Sequence, residues 1–391
     1  MKDFEFSLPT KIIFGKNAQD KIGSMSAGVG RRALIVYGSG RIIKNGLLNE
    51  LQGHLKDAGV DSRPFGGVCE NPLLSWVLEG VAQAKDFNAD MVIAVGGGSV
   101  IDAAKAVCLG YCYDGDLWDI YSGKVTAGKA LPLGVVLTNS ATASEANGVS
   151  VLRKDNTGKK AALTCPLIRP AFALMNPELT YSVPPKQTAI GALDIFSHAF
   201  ERYFHREQRG TLRNLMCESV MKTVIIELPK ALKAPEDYDA RSQLMWAGTV
   251  AHSDILGKEG VYACHAMSHI LTAQYNMPHG MALSILMPAW CKYVMVDHPE
   301  DMADFAVNVW GVDRNCDSVV NMAQEGISRF QQFVCNCGLP VTLREAGIGD
   351  ADSSALTALL FDGSGKDAYI GENYEKMYRR DVQAMFDLAI G

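Results

Sequence analysis

The stretch Met91-Val-Ile-Ala-Val95-Gly96-Gly97-Gly98-Ser99 indicates how the first half of the chain folds. Its apolar run is typical of a strand that is buried on both faces, and the run leads directly into a glycine triplet. The following segment, Val100-Ile-Asp-Ala-Ala-Lys-Ala-Val107, has helical character. A buried strand, a tight turn and a helix are the start of a βαβ unit, so the stretch predicts a parallel sheet covered by helices.

The same alternation extends to both sides of this stretch. Further apolar runs at residues 33–37, 133–137 and 171–174 predict three more strands of the sheet. Asn71 precedes Pro72, a pair that predicts a helix with Asn71 as its N-cap and a C-terminal end near residue 85. The first half of the chain is therefore expected to be an α/β domain with a Rossmann-like sheet.

The pattern changes after residue 182, where Pro184-Pro185 ends the alternation. Apolar residues at helical spacing then dominate, and no strand alternation is visible. A chain of 391 residues exceeds the size at which a single core usually stops growing. We therefore expect an α/β domain at residues 1–183 and an all-helical domain at 184–391. The helical segments are predicted at residues 185–204, 212–228, 240–252 and 318–335.

Composition narrows the class of partner. A net charge of −6 and a pI near 5.8 argue against a nucleic-acid-binding or anionic-membrane surface. No apolar run approaches the roughly 18 residues of a membrane span, and the first residues lack the apolar core of a secretory signal. The ten cysteines are scattered, which favours free thiols in a reducing compartment. The expectation is a cytoplasmic protein that acts on small molecules.

Histidine spacing predicts a metal site in the helical half. Asp194 and His198 are four residues apart, as are His265 and His269, so each pair shares a helix face. His279 follows Pro278, which should interrupt the second helix. An oxygen donor with imidazoles and no thiolate suits Fe²⁺ or Zn²⁺. The remaining histidines have no partner residue at such a spacing and are interpreted as surface or packing residues: His54, His205, His252 and His298.

Two glycine turns in the first half have features that suit a bound dinucleotide. Gly97, Gly98 and Ser99 lie where backbone N–H groups at a helix start can bind a pyrophosphate, although a tight turn alone would also select glycine. The turn from Gly38 to Arg41 has no carboxylate for a ribose 2′-hydroxyl, so it would tolerate the 2′-phosphate of NADP(H). A plain turn with a solvated Arg41 explains the same residues, and both alternatives stay open.

Five segments spread along the chain carry family signatures: Pro9-Thr-Lys-Ile-Ile-Phe-Gly15-Lys16, Gly96-Gly-Gly-Ser-Val-Ile-Asp102-Ala-Ala-Lys105, Leu137-Thr-Asn-Ser-Ala-Thr-Ala-Ser-Glu145, Asp194-x-x-x-His198 and His265-x-x-x-His269-x9-His279-Gly280. Over essentially the whole chain they resemble the iron-containing (group III) alcohol dehydrogenase family. The segment Tyr37-Gly-Ser-Gly-Arg-Ile-Ile-Lys-Asn-Gly46 is similar to its butanol dehydrogenases and broad-specificity aldehyde reductases.

The resemblance implies roles for individual residues. The metal ligands would be Asp194, His198, His265 and His279, with His269 unligated beside the nicotinamide. Members of the family that prefer NAD carry an Asp at the position of Gly38, so the resemblance implies NADP(H); it also implies a homodimer. The implied cofactor contacts are Gly38, Ser39, Asn71, Gly97, Gly98, Ser99, Asp102, Thr138, Asn139, Thr142, Asn147 and Lys160.

Two stretches depart from the family pattern. The usual Thr-Thr-x-Gly-Thr-x-Ser-Glu stretch has Asn139 in place of its second Thr and Ala141 in place of its Gly. The acid that commonly precedes the second helical histidine is Ser268. The first change affects the predicted pyrophosphate contacts, and the second is expected to alter the orientation of His269.

These features predict a metal-dependent oxidoreductase that transfers a hydride between NADP(H) and a primary alcohol or aldehyde. The metal would act as a Lewis acid on the substrate oxygen, and His269 would relay the proton as the catalytic residue. A lyase of the dehydroquinate-synthase type is the alternative enzyme, but it would need a Lys and Arg cluster near the metal motifs, which are instead apolar. A non-catalytic metal site is the other alternative, although such sites are usually rich in thiolates.

Overall fold

A computed structural model describes residues 3–155, 157–206, 211–315 and 318–391. The chain divides into two compact units, Phe4–Val183 and Pro184–Gly391. Within the described ranges, every cysteine is a free thiol, and no helix has the length and apolar character needed to cross a membrane.

The first unit is built on a sheet of six parallel strands, with a separate antiparallel hairpin. The sheet order is β1-β8-β5-β4-β2-β3, and β6 pairs with β7 in the hairpin. The predicted strands at residues 33–37, 91–95, 133–137 and 171–174 are confirmed as β2, β4, β5 and β8. The strands are β1 (Lys11–Phe14), β2 (Arg32–Tyr37), β3 (Asp61–Phe65), β4 (Met91–Gly96), β5 (Leu133–Leu137), β6 (Val149–Arg153), β7 (Lys160–Thr164) and β8 (Phe172–Met175).

Helices cover this sheet because their apolar residues recur on one side. Leu51 and Leu55 pack with Ile35 of β2 and Ile93 of β4 in one buried cluster. Each such leucine contributes roughly 1.5–3 kcal/mol when it leaves water. The helices are α1 (Ile22–Ala27), α2 (Arg41–Lys44), α3 (Leu47–Asp57), α4 (Leu74–Asp86), α5 (Gly98–Tyr111) and α6 (Leu117–Tyr121), with 3₁₀ turns at Ala18–Lys21, Pro166–Ile168 and Pro177–Thr180.

The start of α4 differs from the prediction. Asn71 has a left-handed backbone with φ of 54°, and the N-cap is Leu73 in an extended conformation. Leu73 has the backbone that is typical of an N-cap and directly precedes the first helical residue, Leu74, so Asn71 does not fill that role. The prediction of Asn71 as N-cap is wrong because Asn71 and Pro72 turn the chain before the helix begins.

The second unit is helical in the ranges that are described, and the four helices predicted for it are confirmed as α7, α8, α9 and α13. Its helices are α7 (Pro185–Tyr203), α8 (Leu212–Lys233), α9 (Tyr238–His252), α10 (Ala263–Tyr275), α11 (His279–Val294), α12 (Pro299–Trp310), α13 (Val319–Asn336), α14 (Ser353–Leu360) and α15 (Arg379–Ile390).

Helix α7 is the central element of this unit, since it is buried along nearly its whole length from Thr188 onward. Phe196 and Phe200 pack into an aromatic cluster that includes Phe330, with ring centroids 5.0 and 6.2 Å away. The same helix buries four ionisable side chains, and a fully buried helix that carries such groups needs partners for them. The four are Asp194, His198, Glu201 and Arg202.

Candidate functional site

Helix α7 supplies the first two members of the site. Asp194 and His198 are one helical turn apart and are 3% and 5% exposed. His198 Nε2 lies 4.0 Å from Asp194 Oδ1. The predicted sharing of a helix face is therefore present, and it places a carboxylate and an imidazole in the interior of the unit.

Helix α10 adds His265 through its first turn. That turn has no side-chain cap of its own, because Tyr262 at the N-cap has a left-handed backbone. Glu201 Oε1 takes over that role and accepts hydrogen bonds from the backbone N–H of Cys264 at 2.7 Å and of His265 at 3.4 Å. As a result, one potential ligand atom from each of Asp194, His198 and His265 lies within 4.8 Å of the others.

Helix α11 places His279 at the same point. It begins at His279, directly after Pro278, as the sequence predicts. A Cβ at Gly280 would lie 2.1 Å from the backbone oxygen of Ile190, so only glycine lets this turn approach α7. The close approach brings His279 Nε2 to 3.6 Å from Asp194 Oδ1.

These side chains fit a divalent metal ion. His265 Nδ1 contacts Glu201 Oε2, while its Nε2 is buried and has no hydrogen-bond partner among the described residues. A buried nitrogen without a partner is costly unless a ligand occupies that position. One carboxylate oxygen and three imidazole nitrogens form a donor set that Fe²⁺ or Zn²⁺ accepts.

The electrostatics of the imidazoles differ. Burial holds the pKa of His198 well below its usual range, and the neighbouring imidazoles and Arg202 push it in the same direction. Burial also acts to lower the pKa of His265, but the charge and hydrogen bond of Glu201, together with Asp194, raise it above its usual value. His198 is therefore held in the neutral form that binds a metal, whereas the protonation of His265 depends on the charges next to its ring.

His269 lies next to this group on the following turn of α10. Its ring centroid is 5.6 Å from that of His279. Ser268, which stands in place of the family's acid, is fully buried. Its hydroxyl donates to His265 O at 2.7 Å and lies 3.1 Å from His279 Nδ1. The serine therefore contacts His279, whereas the sequence suggested an influence on His269.

Three residues around the site were missed or misplaced by sequence reasoning. Glu201 contacts His265, and it lies seven residues after Asp194, a spacing that returns to the same helix face and could have revealed it. The ring of His252 stacks on His198 with centroids 4.2 Å apart, so His252 is a packing residue directly beside the site. Arg202 links the two, since its Nη2 is 2.8 Å from His252 Nδ1 and its Nη1 donates to His198 O.

In the first unit, the turn from β4 into α5 collects several predicted cofactor contacts. Gly97 is the N-cap of α5 with an extended backbone. A Cβ at Gly98 would lie 2.6 Å from Thr142 Oγ1, and one at Gly97 would lie 3.1 Å from Asn139 Cβ. Thr138 joins the group, since its N–H donates to Gly96 O at 3.1 Å. The N-terminus of α5 is thus ringed by small and polar groups that suit an anion.

The turn after β2 lies beside the same helix start. A Cβ at Gly38 would lie 3.3 Å from Val100 Cγ2, one turn into α5. Ser39 is exposed, and Arg41 Nη1 donates to Ser182 O at 3.2 Å. Ser99 is half-buried in the first turn of α5, and Asn71 lies in the left-handed turn before α4.

The remaining predicted contacts form an internal network. Asp102 accepts hydrogen bonds from Ser144 Oγ at 2.7 Å and from the N–H of Val151 at 3.0 Å. Asn147 Oδ1 accepts from Lys105 Nζ at 3.1 Å, and its amide donates to Thr142 O at 3.1 Å. Burial raises the pKa of Asp102, and the nearby charges of Lys105 and Lys160 oppose that shift.

Comparison with known proteins agrees with these observations. The model of the iron-containing alcohol dehydrogenases matches residues 9–177, and that of the C-terminal part of the Fe-containing alcohol dehydrogenase family matches residues 188–390. The probable NADH-dependent butanol dehydrogenase 2 of Bacillus subtilis is 37% identical, with 98% of this chain and 99% of that protein covered. The NADPH-dependent aldehyde reductase YqhD of Escherichia coli is 34% identical over 92% of each chain.

A solved structure shows the same architecture. The crystal structure of the NADH-dependent butanol dehydrogenase A of Thermotoga maritima superimposes with a TM-score of 0.92 at 35% identity, covering 100% of this chain and 99% of that one. The chain belongs to the iron-containing alcohol dehydrogenase family. Within that family it falls in the subgroup of butanol dehydrogenases and aldehyde reductases. It is an alcohol or aldehyde oxidoreductase, and the family implies a metal and a nicotinamide cofactor.

Proposed function

We propose that this enzyme interconverts a primary alcohol and its aldehyde by hydride transfer with NADP(H), using one Fe²⁺ or Zn²⁺ ion. The ion would be held by Asp194, His198, His265 and His279. The observation that carries the proposal is the convergence of these buried and half-buried side chains, with His265 Nε2 left without a partner in the described structure. When bound, such an ion supplies Lewis-acid polarisation of the substrate oxygen.

The side chains of the helical unit have separate tasks in this reaction. Asp194 contributes the negative charge of the site, and the imidazoles contribute neutral donors, so one divalent ion remains net positive there. Burial of Asp194 and His198 excludes water and strengthens each electrostatic interaction. His269, whose ring lies beside His279, would pass the alcohol proton to solvent, because imidazole exchanges protons near neutral pH.

The α/β unit would hold the dinucleotide. Backbone N–H groups at Gly97, Gly98 and Ser99 suit the pyrophosphate, with Asn139 and Thr142 beside them. The preference for NADP(H) rests on Gly38 and Ser39, where no carboxylate would repel a 2′-phosphate. Relatives of the subgroup use either cofactor, since the Bacillus subtilis protein is named for NADH and YqhD for NADPH.

The homodimer expected from the family resemblance, and a reducing compartment suited to the free thiols, complete the proposal. Sedimentation of the purified protein tests the first part. A monomer at micromolar concentration would contradict it.

The decisive experiment combines metal analysis with a rate assay. Protein purified without oxygen should contain about one Fe or Zn per chain, and adding butyraldehyde should oxidise NADPH faster than NADH at equal concentration. A chelator should stop the reaction and Fe²⁺ or Zn²⁺ should restore it. Bound metal without turnover on any aldehyde or alcohol would indicate a non-catalytic site, and turnover without metal would exclude the proposed ligands.

A further inference from the structure

Two buried side chains behind the proposed metal site each contact the Nδ1 atom of one histidine. Glu201 is fully buried, and its Oε2 contacts Nδ1 of His265. Ser268 is also fully buried, and its Oγ lies 3.1 Å from Nδ1 of His279. Neither side chain is among the predicted ligands, and each lies on the side of the ring opposite Nε2.

The hydrogen bonds around Glu201 decide which nitrogen of His265 carries the proton. The backbone N–H groups of Cys264 and His265 both donate to Glu201 Oε1, so this oxygen acts only as an acceptor. An ionised carboxylate is an acceptor only, so Oε2 must accept from Nδ1–H of His265. In the neutral imidazole, which is the form that binds a metal, the second ring nitrogen, Nε2, then has no proton and presents its lone pair.

The same reasoning applies to Ser268 and His279. A hydroxyl has a single proton, and Ser268 donates it to the backbone oxygen of His265 at 2.7 Å. The hydroxyl oxygen can therefore only accept from His279, whose Nδ1 must carry the proton. In the neutral ring of His279, Nε2, which lies 3.6 Å from Asp194 Oδ1, is then unprotonated as well.

We propose that Glu201 and Ser268 are positioning residues that hold the proton of His265 and of His279 on Nδ1 and so present both Nε2 atoms to the metal ion. This inference rests on the metal site of the proposed function. It goes beyond that proposal because it assigns the state of two ligands to residues that do not touch the ion. Glu201 has a second role, since the same carboxylate caps the first turn of α10, the turn that carries His265.

The isosteric variant Glu201→Gln tests this directly. If the amide oxygen keeps its bonds to Cys264 and His265 N–H, the NH₂ group faces His265 Nδ1 and forces the ring proton onto Nε2, where it blocks the metal. If the amide turns over, its NH₂ group meets backbone donors instead. Either orientation should weaken binding of Co²⁺, used as a spectroscopic probe, by roughly 10- to 100-fold, the range for residues behind a ligand.

Controls separate positioning from general damage. Glu218→Gln neutralises another buried carboxylate of the helical unit, which faces Asn308 and Tyr203, and should leave Co²⁺ affinity unchanged. Ser268→Ala should weaken Co²⁺ binding by roughly 10-fold, the low end of the same range, and Ser268→Thr, which keeps the hydroxyl, should restore it. Thermal unfolding of each metal-free variant reports damage to the fold independently of the metal.

A double variant shows whether Glu201 acts through His265. In a His265→Ala background, Glu201→Gln should cause no further loss of Co²⁺ affinity, measured by competition with chelators of graded strength. An equal loss in both backgrounds, or an unchanged affinity and Co²⁺ absorption spectrum in Glu201→Gln, would overturn the inference. Failure of the wild type to bind Co²⁺ or Zn²⁺ would instead overturn the metal site itself.

Discussion

Two buried polar clusters, one in each unit of the chain, differ in how their polar atoms are used. In the α/β unit, Lys105 is fully buried, and its Nζ lies within 2.7–3.1 Å of Ser144 Oγ, Asn147 O, Asn147 Oδ1 and Val149 O. In the helical unit, His265 Nε2 and His198 Nδ1 have no hydrogen-bond partner within the described residues. We call the first cluster closed, because the chain itself supplies the hydrogen-bond partners of its charged group. We call the second cluster open, because it leaves imidazole nitrogens without a partner.

The contrast separates a structural network from a ligand site. Burial lowers the pKa of Lys105 to about 8, with Asp102 and Glu145 opposing the shift, and its acceptors are supplied by the chain. Asp102 and Asn147 lie in this closed network, so we expect them to shape the loop where we propose that the cofactor binds. The histidine cluster instead needs an external partner. The predictions below test this difference, from the largest expected effect to the smallest.

Removing a ligand from the open cluster should have the largest effect. His265→Ala or His279→Ala should lower turnover by roughly 10³-fold or more, because a Lewis-acid metal is worth several kcal/mol and each 1.36 kcal/mol is a factor of ten. Bound metal should fall in parallel, while NADP(H) binding to the α/β unit remains. His298→Ala is the control, since His298 is 40% exposed and pairs with Glu375. Unchanged metal content and rate in His279→Ala would exclude it as a ligand.

Breaking the closed cluster should affect stability. Lys105→Met leaves Asp102 and Ser144 without their buried cation, so the free energy of unfolding in urea should fall by about 3–5 kcal/mol. Lys85→Met is the matched control, since Lys85 is an exposed lysine 3.6 Å from Asp114 and should change stability by no more than about 0.5 kcal/mol. If the two variants unfold at the same urea concentration, the buried network is not a structural element.

His269 lies at the edge of the open cluster and tests its catalytic part. His269→Ala should keep the metal but lower kcat by roughly 10²-fold, as expected when a general acid–base group is lost. The pH dependence of kcat should change along with the rate. A loss of metal equal to that of His265→Ala would show that His269 is a ligand.

Local sequence patterns predicted the elements that these clusters use. The run from Met91 to Val107 predicted β4 and α5, and the spacing of Asp194 and His198 predicted their place on α7. These features depend on residues within one or two turns, where periodicity is informative. Strand β3 was missed because Asp61–Phe65 is short and largely polar, and it contains Pro64.

Contacts between distant residues could not be predicted in this way. The β6–β7 hairpin has no glycine pair at a tight turn, and Lys105 contacts Asn147 across a sequence separation of 42 residues. His252 looked isolated in sequence but stacks on His198, because α7 and α9 pack together. Helical periodicity could have placed Glu201 on the same face as Asp194, but it could not predict the contact with His265, which is 64 residues away.

The smallest effect concerns cofactor preference at the turn after β2. Gly38 and Ser39 offer no carboxylate to hold a ribose 2′-hydroxyl or to repel a 2′-phosphate, so kcat/KM should favour NADPH over NADH. Gly38→Asp should add both effects and shift the ratio toward NADH by about 1–3 kcal/mol, or roughly 5- to 150-fold.

The backbone at Gly38 requires a matched control for this variant. A Cβ there lies 3.3 Å from Val100 Cγ2 and from Val68 O, so any side chain presses on the start of α5. Gly38→Asn has the same shape without the charge, and it should lower both kcat/KM values alike. A wild type that prefers NADH, or equal shifts in the Asp and Asn variants, would contradict this interpretation of the turn. The histidine cluster would be unaffected by that outcome, because its ligand atoms converge within the helical unit alone.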